Sequence, residues 1–155
     1  MIITKAPYRI SIVGGGSDIF DDGCVISFTI DKGMAVVVNY RPDDKIVLRY
    51  SQAEESFNPS GLKHSLIRET LNHMGISRGI EIHTISDIPS RGCGLGTSAA
   101  LLVALVQALR PNMNRGEVAE TAAYIERVRL KKKCGKQDHY SAAFGGCNYF
   151  RFKGQ

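Results

Sequence analysis

No stretch of the sequence is apolar for long enough to span a membrane, and the N-terminus carries no signal-peptide pattern. The four cysteines, Cys24, Cys93, Cys134 and Cys147, form no Cys-x-x-Cys pair, and no histidine cluster completes a zinc site. They read as reduced thiols of a cytoplasmic protein, with Cys93 open to thiol reagents. Internal repeats, low-complexity segments and domain linkers are also missing, so the 155 residues read as one domain with a sizeable core. The net charge of +5 suits an enzyme that handles anionic substrates and equally suits weak nucleic-acid binding. The dense basic run at 127–136, however, has no interleaved aromatics, hence no stacking platform for single strands, and reads as a solvated helix end. Neither a nucleic-acid nor a membrane partner is expected.

The stretch around which the chain is organised is DIPSRGCGLGTSAA, residues 87–100. A strand-like run at 80–85 leads into it and an apolar helix-like run at 95–109 leaves it. Gly92, Gly94 and Gly96 alternate in between, followed by the hydroxyls of Thr97 and Ser98. Glycine permits positive φ and close ligand approach, and a helix starting here presents free N–H groups and a positive dipole end to an anion. The loop is neither a Walker A sequence nor Gly-x-Gly-x-x-Gly. On spacing alone a phosphate cradle and a plain glycine loop before an N-capped helix both remain open.

From the N-terminus, residues 1–13 read as a strand that Pro7 confines to an edge or a bend. Gly14, Gly15 and Gly16 then make a side-chain-free turn into Ser17 and Asp18. That turn is either purely structural or a place where Asp18 accepts hydrogen bonds from a hydroxylated ligand. Three β-rich runs, 24–30, 34–40 and 45–50, with turns at 31–33 and 41–44, read as an antiparallel meander. Residues 60–74 show helical spacing with Gly75 as C-cap, and His64 and His73 read as surface residues. Helix 95–109 is apolar nearly all round and should be buried. Asn114 and Glu117 form a capping box for a helix over 115–130, with Glu126 near its end as either an ion-pair partner of Arg127 or a functional acid. Asp138 opens a short helix that Gly145 and Gly146 terminate, and 148–152 reads as a closing strand. Phosphoryl transfer to an alcohol needs one carboxylate at the attacking hydroxyl and another acid on magnesium, roles that Asp138 and Glu126 could fill.

Three blocks resemble a known family. APYRISIVGGGSD (6–18) is similar to the first signature of the GHMP sugar-kinase superfamily. IPSRGCGLGTSAALLVAL (88–105) resembles its phosphate loop. Ile125-Glu126-Arg127 with GKQDHYSAAFGGCNYFRF (135–152) resembles a stretch of the D-glycero-D-manno-heptose 7-phosphate kinases and related sugar kinases. The blocks occur in order across nearly the whole chain.

The resemblance implies an α+β fold, the GHMP kinase N-terminal domain related to the second domain of ribosomal protein S5. It also implies an ATP- and magnesium-dependent kinase acting on a small sugar phosphate. In that reading Gly92, Gly94, Leu95, Gly96, Thr97 and Ser98 wrap the ATP phosphates, and Ser98 and Glu126 hold magnesium. Asp138 is the catalytic acid at the sugar hydroxyl, and Arg9, where several relatives carry lysine, stands by the transferring phosphate or the substrate. Gly15, Gly16, Ser17 and Asp18 meet the sugar, with Lys136 as a weaker substrate-phosphate contact. Family members continue into a second domain, so residues 1–155 are expected to be the N-terminal ATP-binding domain alone, pairing with itself or with a separate C-terminal half. The alternative is a non-catalytic nucleotide- or sugar-binding half-domain that acts in an assembly. Thr97 for the usual serine and His139 for the usual glutamine are smaller departures.

Overall fold

A computed structural model describes residues 1–19, 22–89 and 93–153. Its frame is a six-stranded mixed sheet with helices packed on one face. Strand β1 (Ile2–Val13) lies at one edge, antiparallel to the long β2 (Asp22–Tyr40). The order continues through β5 (Ile80–Ser86) and β3 (Ile46–Arg49) to β4 (Ala53–Ser56), while β6 (Cys147–Lys153) pairs with the first part of β2. Pro7 does sit on the edge strand, at a register shift between Pro7 and Arg9.

The expected meander is corrected in two places. The runs 24–30 and 34–40 are one continuous strand: β1 pairs on both sides of the supposed turn, Pro7 with Gly33 and Arg9 with Thr29. Tyr8 alone thus stands opposite Ile30, Asp31 and Lys32, so the supposed turn is absorbed as a bulge. Only glycine fits at 33, because a Cβ there would run into the Ala6 carbonyl. The third run does not follow β2 in the sheet; β3 pairs parallel with β5, and its antiparallel partner is β4, which the sequence reading missed.

The helices follow their local signals more closely. α1 (Ser65–Met74) ends in a left-handed Gly75, φ 70°. His64 is its N-cap and packs edge-on against Tyr50 rather than lying free on the surface, whereas His73 is exposed. α2 (Thr97–Leu109) buries ten of its residues, as its uniformly apolar composition requires. It lies between the sheet, at β1 and β2, and the outer helices α1 and α3 (Arg115–Tyr124). The Asn114–Glu117 capping box is present in full. α3 does not run on to residue 130, because a single π-turn, Ile125–Arg129, replaces its last turn. α4 (Gln137–Phe144) packs on β1 and β2 and ends at Gly145, φ 67°.

Candidate active site

α2 begins without a side-chain cap. Its N-cap is Gly96 in the left-handed region, φ 73°, so neither Thr97 nor Ser98 is the capping hydroxyl. Gly94 is also left-handed, φ 63°. The first-turn N–H groups therefore open toward a cleft of about 390 Å³ that Gly94, Leu95, Gly96, Thr97, Ser98 and Ala99 line on one side. Gly92 lies outside the described residues. Arg9, Gly16, Glu126, Lys133 and Asp138 line other parts of the same cleft.

Edge strand β1 is stitched to this loop. The Arg9 backbone N–H donates to the Leu95 carbonyl at 3.2 Å, and Nη1 donates to the Gly94 carbonyl at 2.7 Å. The rest of the guanidinium forms a bidentate pair with Asp138, Nε to Oδ1 at 2.7 Å and Nη2 to Oδ2 at 2.8 Å. Both side chains are largely shielded, 14% and 28% exposed. A Cβ at Gly96 would stand 3.3 Å from Asp138 Oδ2, so the acid lies directly over the glycine loop. Residues 9, 96 and 138, remote in sequence, thus form one contact set.

The first-turn position of Asp138 in α4 has a second support. Asp18 is fully buried, and its Oδ2 accepts the Gln137 N–H at 2.7 Å. Among the described residues its Oδ1 finds no hydrogen-bond partner. Gly135 packs against this carboxylate with no room for a side chain. Ser11 Oγ donates to Gln137 Oε1 at 3.0 Å, and Ser27 meets Ser141 at 2.7 Å, completing the attachment of α4 to the sheet.

Glu126 is placed by the π-turn, a feature with no sequence signal here that recurs at functional sites. It is 6% exposed. Its Oε2 accepts from His139 Nε2 at 2.9 Å, which assigns the proton to that nitrogen, and its Oε1 accepts from Lys132 Nζ at 2.8 Å. Burial alone would raise this carboxyl, but the bonds from His139 and Lys132 outweigh it and hold the group below the usual carboxylate range. His139 Nδ1 is buried without a partner among the described residues.

Three of the expected site residues, Lys136, Ser17 and Gly15, lie off the cleft wall. Lys136 turns away from the cleft, where its ammonium pairs with Glu120 at 3.0 Å, and Lys133 lines the cleft in its place. Ser17 Oγ donates to the Cys24 carbonyl at 3.0 Å and, like Gly15, is not part of the cleft wall; Gly16 is, and Asp18 lies behind the wall, fully buried on the Gln137 N–H. Glu126, expected as either an ion-pair partner of Arg127 or a functional acid, is the centre of a buried network with Lys132 and His139. Sequence reasoning missed both partners: Lys132 looked like one member of a solvated run, and His139 only like a substitution. A second cavity of about 580 Å³, walled by residues that include Tyr50, His64, Ile88, Pro89 and Leu101, meets the cleft at Thr97 and Ser98.

The family described as GHMP kinases N terminal domain matches residues 62–146. The chain belongs to this family. A D-glycero-alpha-D-manno-heptose 7-phosphate kinase of Campylobacter jejuni is 32% identical over 172 residues, an alignment that covers 97% of this chain and 50% of the relative. A mevalonate kinase of Archaeoglobus fulgidus is 26% identical, covering 94% of this chain and 51% of its own. The crystal structure of a D-glycero-D-manno-heptose 1-phosphate kinase from Bacteroides thetaiotaomicron matches with a TM-score of 0.87 at 29% identity, over 99% of this chain and 57% of that one. The expected GHMP kinase N-terminal fold is therefore the observed one. The chain spans about half the length of the curated relatives it matches. Among the described residues, no helix is long and apolar enough to cross a membrane.

Proposed function

We propose that this GHMP kinase domain is the ATP-binding half of a sugar kinase that phosphorylates a hydroxyl of a small sugar phosphate. A heptose 7-phosphate is the acceptor, by likeness to the Campylobacter relative. The observation that carries this reading is the Arg9–Asp138 pair lying over the open N-terminus of α2. A helix N-terminus that faces the cleft suits the polyphosphate, and a fixed carboxylate beside it suits an alcohol nucleophile. The adjoining cavity at Tyr50, His64 and Pro89 takes the base.

In this mechanism the acceptor hydroxyl attacks the γ-phosphorus, its proton passes to Asp138, and the bond to the β,γ-bridging oxygen breaks to release ADP. Arg9 does not need to touch the phosphate for this. It fixes both oxygens of Asp138 and ties them to the Gly94 carbonyl, so that acid and loop keep one geometry. Asp18 holds the N-terminus of α4 and thereby the same acid. Ser98 and Glu126 share the cleft and offer only hard oxygen donors, and no cluster of three acidic, histidine or cysteine ligands exists among the described residues. Such a set would suit magnesium, with Ser98 and Glu126 as the protein residues that would hold it. When bound, the ion would neutralise charge on the transferring group. Cysteines without disulfides suit a cytoplasmic setting.

Calorimetry of Mg-ATP with the purified chain tests the nucleotide site, with Ser98→Ala expected to weaken binding. Asp138→Asn should abolish turnover and spare ATP binding; full activity in Asp138→Asn refutes the assignment.

A further inference from the structure

Lys132 is attached to Glu126 twice. Its backbone N–H donates to the Glu126 carbonyl at 3.1 Å, and its ammonium returns to Oε1 of the same residue at 2.8 Å. The reversal that allows this is made by Lys131, at φ 54° the one non-glycine residue with positive φ among those described. The two groups on the carboxylate differ in freedom. His139 is 1% exposed and locked in α4, whereas the Lys132 side chain is 44% exposed and can swing into water. Among the described residues the thiol of Cys134 also feels this carboxylate, and burial followed by Glu126 pushes it up to about 11.

Each oxygen already accepts one bond, so a metal ion approaching Glu126 must compete with Lys132 for Oε1. A buried carboxylate stripped of cations would be strongly disfavoured, so something must balance it whenever no metal is present. We propose that Lys132 is this stand-in cation: it holds Oε1 in the metal-free protein and yields it to magnesium, so that the lysine sets how much magnesium the site requires. The proposal rests on the reading of Glu126 as a metal ligand. Competition of this kind multiplies the apparent dissociation constant by the reciprocal of the fraction of molecules in which Lys132 is released. Because the lysine end of the pair is 44% exposed and readily released, the penalty on metal binding is roughly fivefold.

The test is calorimetric titration of magnesium into the full chain with saturating ATP. Lys132→Met should lower the half-saturating magnesium concentration roughly fivefold. Lys132→Arg, which can close on the carboxylate with two parallel bonds, should raise it. Lys133→Met removes a neighbouring charge from the cleft wall without touching Glu126 and should not tighten magnesium. In thermal melts, EDTA should destabilise Lys132→Met more than wild type, and magnesium should restore more of its stability. Should Lys132→Met fail to fold, the opposite shift in Lys132→Arg decides the matter. An unchanged or increased magnesium requirement in Lys132→Met, or an equal tightening in Lys133→Met, overturns the proposal and leaves the kinase reading standing. Absence of any magnesium-dependent ATP binding by the wild-type chain removes the metal reading of Glu126, and the role of Lys132 with it.

Discussion

Replacing Gly135 by alanine tests the attachment of α4 most directly. A Cβ at this position would overlap the Asp18 carboxylate, standing 2.5 Å from Oδ1 and nearer still to the other two carboxylate atoms. Asp18 is fully buried and cannot retreat into solvent. Relief requires it to leave the Gln137 N–H, a 2.7 Å charge-assisted bond at the start of α4. Overpacking costs about 1–3 kcal/mol and loss of a bond to a charged group about 1.5–3 kcal/mol, together on the order of 4 kcal/mol. For a domain of this size each kcal/mol moves the melting temperature by about 2–4 °C, so a fall on the order of 10 °C is expected by circular dichroism. Gly116→Ala is the contrasting control. It lies in α3 with only the Asn114 Oδ1 atom at 3.3 Å, and gains helix propensity, so its shift should stay within about 1 kcal/mol either way. Asp18→Ala should partly relieve the Gly135→Ala clash, so the double variant should lose less than the sum of the single losses. A Gly135→Ala protein that melts within about 2 °C of wild type refutes the packing argument.

Asn114→Ala removes one side of the capping box and should cost about 1 kcal/mol, seen as a melting shift of about 2–4 °C that Asn114→Ser largely avoids. Burial, with a smaller contribution from Glu126, raises the Cys134 thiol from 9.0 to about 11. The unfolded thiol therefore ionises first, and folding stability should fall as pH rises from about 9 toward 11; Cys134→Ser should flatten that slope in a series of urea titrations. At pH 8 a thiol reagent should modify the exposed Cys24, Cys93 and Cys147 well before Cys134.

Much of this molecule is written locally. The apolar run of α2 dictates a buried helix, Asn114 and Glu117 dictate where α3 begins, and Gly75 and Gly145 dictate where α1 and α4 stop. Pro7 marks β1 as an edge. Each signal acts within one turn or one ladder step, which is the range over which backbone propensity and capping operate. The three motif blocks, likewise, were legible as segments. The turn signal at 31–33 failed because pairing with β1 across it outweighs the local preference of Asp-Lys-Gly, and the parallel β3–β5 pair failed because partner choice is made by strands far apart in sequence. The π-turn at 125–129 has no compositional mark at all.

What tertiary structure alone decided is which charge meets which. Arg9 reaches Asp138 across 129 positions, Asp18 reaches Gln137 across 119, and Lys136 goes to Glu120 instead of the cleft. The fold also turns Lys132, one of three adjacent lysines, inward onto Glu126 while Lys133 faces the cleft. Composition determined that the chain would bury an apolar helix against a sheet and expose glycines at its start. Only the packed structure, by desolvating some carboxylates and leaving others in water, determined what each of them can do.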